Sequence, residues 1–102
     1  MTSHADPPVP DAPDELGRLR RQIDRLDAEL VRLLAQRFQV TDDVGAVKAA
    51  HKLPAHDPQR EAAQLARLTE LCREEQLDPA LLEPVFETIT KLVKERHRRA
   101  AG

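Results

Sequence analysis

Residues 16–47 read LGRLRRQIDRLDAELVRLLAQRFQVTDDVGAV. Apolar side chains recur there at alternating intervals of three and four, the signature of an amphipathic helix with one continuous seam. In heptad form the a positions are Leu16, Ile23, Leu30, Arg37 and Val44, and the d positions are Leu19, Leu26, Leu33, Val40 and Val47. Arg37 stands where an apolar residue belongs. A buried guanidinium costs several kcal/mol unless an anion meets it. No acid occupies another a or d position of the helix, so the anion comes from another segment or from a ligand.

The chain has 102 residues, of which 40% are hydrophobic and 33% charged, with two Phe and no Trp or Tyr. That suits one small domain with a thin core. Pairing of helices between copies is therefore attractive. The formal charge of −2 favours no polyanionic partner. The basic tail with Lys91, Lys94, Arg96, Arg98 and Arg99 reads as a solvated helix end whose cations complement the helix dipole, not as a nucleic-acid patch. The single cysteine, Cys72, permits no internal disulfide and points to a reducing, cytoplasmic setting; on a leucine-rich helix it reads as a small core residue. No run of 18 apolar residues and no secretory signal are present, so no membrane span is expected.

Residues 1–13 hold Pro7, Pro8, Pro10 and Pro13 without an apolar period and read as a disordered leader. One domain then covers 14–99. Asp14 and Glu15 suit a helix start, and the periodic pattern continues to about Ala50. Gly45 interrupts it at a cost of roughly 1 kcal/mol relative to Ala, which marks a close approach to the backbone. Pro54 places a loop at 51–56. Asp57-Pro58 and Asp78-Pro79 are each an N-cap followed by proline at the first helical position. They open a second helix carrying Ala62, Leu65, Leu68, Leu71 and Cys72, fading near Gln76, and a third carrying Leu82, Val85, Phe86, Ile89, Leu92 and Val93. The fold class is all-α, with three helices and no strand.

The first helix, at ~36 residues, is roughly 54 Å long, whereas the other two are each near 30 Å. They are too short to cover it, and the remaining seam is a self-association surface. Arg37 and Lys48 lie three turns apart on one face, ~16 Å by the helical rise, close enough for two long side chains to converge on a small ligand. Arg20 lies ~25 Å from Arg37 and does not reach that ligand within its own chain. In an antiparallel pair crossing near residue 30, Arg20 of one copy lies beside position 40 of the other and completes the group. Arg60, in the first turn of the second helix, sits beside a positive dipole end, a placement that suits a nearby anion; Glu61 beside it is an acceptor for a hydroxyl. Single arginines and lysines on a charged helix are ordinarily solvated. Arg37 is set apart by its heptad position, whose plain alternative is an Arg paired with a Glu to fix register.

Five segments carry a resemblance. Leu19-Arg20-Arg21-Gln22-Ile23-Asp24-Arg25-Leu26-Asp27 and Leu33-Leu34-Ala35-Gln36-Arg37 resemble the opening helix of the all-α chorismate mutases. Val44-Gly45-x-x-Lys48, Asp57-Pro58-x-Arg60-Glu61, and Leu77-Asp78-Pro79 with Val85-Phe86 resemble the family's later motifs at family spacing, and the likeness covers about residues 16–97. It implies an intertwined homodimer with two sites. In each, Arg20 arrives from the partner chain, Arg37 and Arg60 hold two carboxylates, Lys48 faces the ether oxygen, and Glu61, with Asp57 or its backbone, addresses the ring hydroxyl. A Ser and a Gln usual on the family's last helix correspond to Val93 and His97. If His97 takes the place of the Gln, its neutral imidazole donates one hydrogen bond and its cation donates more strongly.

The resemblance implies conversion of chorismate to prephenate, on the way to aromatic amino acids. This rearrangement of a single dicarboxylate substrate needs no metal or cofactor. His4, His51, His56, His97 and the lone Cys72 lack metal-ligand spacing. On the same fold, the alternatives are an isochorismate pyruvate lyase and a mutase of the amino analogue of chorismate. A non-catalytic coiled-coil adaptor is the rival from another class, and it would tolerate leucine at Arg37. Regulation or activation by a second protein is left open.

Overall fold

The computed structural model describes residues 14–101; the proline-bearing stretch 1–13, expected to be disordered, lies outside them. Three helices form, α1 (Asp14–Ala50), α2 (Pro58–Glu74) and α3 (Pro79–Ala101), with no strand among the described residues. The chain divides after Phe38 into two compact units. The first, from residue 14, is the N-terminal part of α1. The second holds the rest of α1 with α2 and α3.

Local chemistry sets the element ends. The Asp57 carboxylate accepts the Arg60 backbone N–H at 3.1 Å, and Asp78 accepts that of Ala80 at 3.0 Å. Both are Asp-Pro helix starts, as the sequence suggested. At the other end, α1 and α2 close alike. The N–H of Leu53 reaches back to the Lys48 carbonyl and that of Leu77 to the Cys72 carbonyl, both at 2.8 Å, the six-to-one bond of a Schellman cap. The residue that turns the chain is left-handed in each case, Lys52 at φ 56° and Gln76 at φ 58°. Glycine is commoner there because a Cβ costs roughly 1 kcal/mol in that conformation. Pro84 lies within the early part of α3, where its missing N–H leaves the Ala80 carbonyl without an intrahelical donor.

In the first unit the seam meets water: Leu16, Leu19, Ile23, Leu26, Leu30 and Leu33 are all exposed, Leu26 to 67%. In the second unit Val40, Val44 and Val47 are exposed as well. Among the described residues the buried side chains are few, namely Cys72, Ile89 and, among polar ones, His97.

His97 explains Gly45. The glycine is buried, and a Cβ built on it would lie 2.6 Å from His97 Cδ2 and 3.0 Å from Nε2. The imidazole of α3 thus lies on the bare backbone of α1, and Nε2 donates to the Thr41 carbonyl at 2.7 Å. Beside it, the Arg96 guanidinium grips both Asp42 oxygens, with Nε at 2.9 Å from Oδ1. Hydrogen bonding to Arg96, then its charge, holds the Asp42 carboxyl below its ordinary value.

Two outcomes follow. Alanine in an exposed helix interior normally gains about 1 kcal/mol over glycine. Gly45→Ala reverses that sign and destabilises by about 1–3 kcal/mol, the usual cost of overpacking, as chemical denaturation will show. Because the Asp42 pKa is depressed in the fold, the stability it contributes is present above the unfolded value near 3.8 and is lost as pH falls through the folded value. The stability gap between the native chain and Asp42→Asn, read by urea unfolding, is therefore widest near neutrality and closes in strong acid.

Candidate functional site

The second unit contains Lys48 of α1, Asp57 at the cap of α2, Arg60 and Glu61 of α2, and Val93 and His97 of α3; Arg20 and Arg37 belong to the first. Lys48 is half-buried in the last turn of α1. Its backbone carbonyl caps the helix through Leu53, and its Nζ donates to the Ala55 carbonyl at 3.2 Å. One residue thus closes α1 and holds the connecting loop. The cation lies near the negative end of the α1 dipole, a favourable location.

At the start of α2, Asp57 is exposed and one of its carboxylate oxygens is taken by the Arg60 N–H. The Arg60 side chain is exposed. Glu61 is half-buried and its Oε2 is shared by two donors, Lys94 Nζ and His56 Nδ1, each at 3.1 Å. The sequence reading cast Glu61 as an acceptor for a substrate hydroxyl; in the fold its carboxylate is paired within the chain. Its partners, Lys94 of α3 and His56 of the loop, were not foreseen. The basic tail is likewise more than a solvated end, since Lys94 and Arg96 both make pairs to other helices. Such pairs, about one-third to one-half exposed, are screened by water and hold their partners weakly. They can therefore exchange partners for a bound anion or hydroxyl.

Val93 is half-buried on α3, one turn before His97. The His97 ring turns its Cδ2–Nε2 edge to α1. A carbonyl only accepts, so Nε2 carries a proton; the other ring nitrogen, Nδ1, lies on the opposite edge. In the first unit Arg20 is exposed and Arg37 half-buried. Between α2 and α3 runs a cleft of about 570 Å³ whose walls include Leu65, Leu68, Leu82 and Phe86, with Glu61 and Lys94 at its polar side. Apolar walls with a few polar groups are the usual makeup of a small-molecule site.

Comparison with known proteins adds a family and several relatives, three of which bear on the site. The family model described as chorismate mutase type II matches residues 19–98. The chain is 29% identical to the chorismate mutase of Methanocaldococcus jannaschii over 76 residues, 74% of this chain and 77% of that one. It is 38% identical to the T-protein of Enterobacter agglomerans over 77 residues, 76% of this chain but 21% of the T-protein's length. It is 30% identical over 95 residues to the 4-amino-4-deoxychorismate mutase of Streptomyces pristinaespiralis, covering 87% of this chain and 74% of that one.

Proposed function

Since the chain belongs to the chorismate mutase type II family, we propose that it is an enzyme rearranging chorismate to prephenate for aromatic amino acid synthesis, in the cytoplasm and as an intertwined homodimer. The observation that carries this reading is the family match across 19–98, a span that contains Arg20, Arg37, Lys48, Asp57, Arg60, Glu61, Val93 and His97.

In this reading one site takes Arg20 from the partner and the other residues from one chain. Arg37 and Arg60 grip the two carboxylates of the substrate and hold its flexible arm over the ring, a positioning effect. One C–O bond breaks as one C–C bond forms within a single molecule. Negative charge grows on the departing ether oxygen, and Lys48 stabilises it as a preorganised cation. Glu61 accepts from the ring hydroxyl, in part exchange for His56 or Lys94. The exposed apolar stripe of α1 supports the dimer, because a helix seam of this length is stable in water only when another helix covers it.

The Streptomyces pristinaespiralis relative favours a second reading, in which the substrate is the amino analogue. A carboxylate such as Glu61 accepts equally from a hydroxyl or an ammonium. Side-by-side assays with chorismate and 4-amino-4-deoxychorismate separate the two. The chain has no Trp or Tyr to mask the loss of chorismate absorbance in the ultraviolet.

Lys48→Ala should lower kcat for chorismate by about 10²–10³, the usual consequence of losing one preorganised donor; unchanged turnover would reject its role at the ether oxygen. Arg20→Ala and Arg37→Ala chains, each inactive alone, should regain part of the native activity on mixing, since one of the two sites in a mixed dimer is then intact. Failure to recover activity after subunit exchange has been verified would count against a shared site.

A further inference from the structure

We propose that Lys94 makes this chain selective for a ring hydroxyl over a ring ammonium, by keeping a cation on the carboxylate that meets the ring. This rests on the mutase reading above, which puts the ring substituent on Glu61. A lone carboxylate takes either donor. Glu61 is not alone. Its Oε2 lies 3.1 Å from Lys94 Nζ and 3.1 Å from His56 Nδ1. Both donors share that one oxygen, so Oε1 is the oxygen that can take a third. A hydroxyl donated to Oε1 adds no charge, and the Glu61–Lys94 pair stays neutral as a whole. An ammonium placed there sets two full positive charges against one negative charge. Like charges brought together at a binding site reject the wrong partner even where the right one gains nothing.

Displacing Lys94 does not relieve the conflict. Its side chain is only 32% exposed, and it lines the cleft between α2 and α3 together with Glu61. Released from Glu61, the cation stays on the wall of that cleft. Leu65 and Phe86 form part of the same wall, and beside apolar groups two charges feel each other more strongly than in open water. His56 is the partner that gives way more easily, being 61% exposed on the loop before α2. Glu83, Glu87 and Glu95 of α3 also line the cleft. In this reading none of them meets the ring, so Glu61 and its two donors set the balance of charge at the substituent.

The experiment compares kcat/KM for chorismate and for 4-amino-4-deoxychorismate in the full chain, in Lys94→Met and in Lys94→Arg. The expected result is a native preference for chorismate of about tenfold or more, which narrows by about tenfold in Lys94→Met and persists in Lys94→Arg. The change in Lys94→Met comes through a lower KM for the amino compound, because the substituent meets Glu61 both before and during the rearrangement. A merely structural role for Lys94 moves both substrates together. His56 is present in all three proteins and cannot produce the difference. Lys94→Gln also lacks the charge, and it takes the place of Lys94→Met if circular dichroism shows that variant to be unfolded. A native preference for the amino compound overturns the proposal. So does failure of the amino compound to gain on chorismate once the charge is removed, including an equal loss of both substrates. Absence of turnover of either substrate by the native chain removes the mutase reading and this inference with it; native turnover with a ratio that Lys94→Met leaves unchanged removes the inference alone.

Discussion

A helix that shows nine apolar side chains to water, six in the first unit and three in the second, imposes the main physical demand on this molecule. Leu16, Leu19, Ile23, Leu26, Leu30, Leu33, Val40, Val44 and Val47 are all exposed in the single chain. Burying one such side chain contributes roughly 1.5–3 kcal/mol, an amount that decides whether a domain of this size is stable at all. The buried set among the described residues, Cys72, Ile89 and His97, is small beside that reserve. The proposed dimer answers the demand. The same pairing would bring a distant arginine to the opposite chain, so stability and catalysis would share one interface.

Within the second unit, polar contacts tie α3 to α1. The Asp42–Arg96 fork, the His97–Thr41 hydrogen bond and the imidazole seated on Gly45 lie within six residues of one another on each helix. The imidazole of His97 is thereby fixed in orientation. Glu61 and Lys48 are more loosely held, each by an interaction that water screens. The rigid part of the arrangement orients the ring of His97, and the exchangeable part leaves Glu61 and Lys48 able to change partners.

Features encoded over a few residues were legible in the sequence. The apolar period gave α1, and the two Asp-Pro pairs gave the starts of α2 and α3 because capping is decided within one turn. Gly45 was readable as a close approach, and Cys72 as a core residue. The atoms that approach Gly45 were not, since they belong to a histidine more than fifty positions later and no local rule couples the two. The same holds for Asp42 with Arg96 and Glu61 with Lys94. In a chain with 16 basic and 18 acidic residues, which charges pair is settled by tertiary geometry. Lys52 and Gln76 escaped notice as left-handed caps because neither is glycine, the residue that usually marks such a turn. The charged residues of the candidate site were legible chiefly through the family motifs, as only Arg37 was singled out by the helix pattern itself.

The account turns on whether the species that turns over substrate contains two chains. Sedimentation velocity with active-enzyme detection, in which the chain moves through a chorismate solution and the loss of substrate absorbance marks the active boundary, measures this directly. The account predicts a catalytic species of twice the 11.5 kDa chain mass. An active boundary sedimenting as a single chain would contradict it.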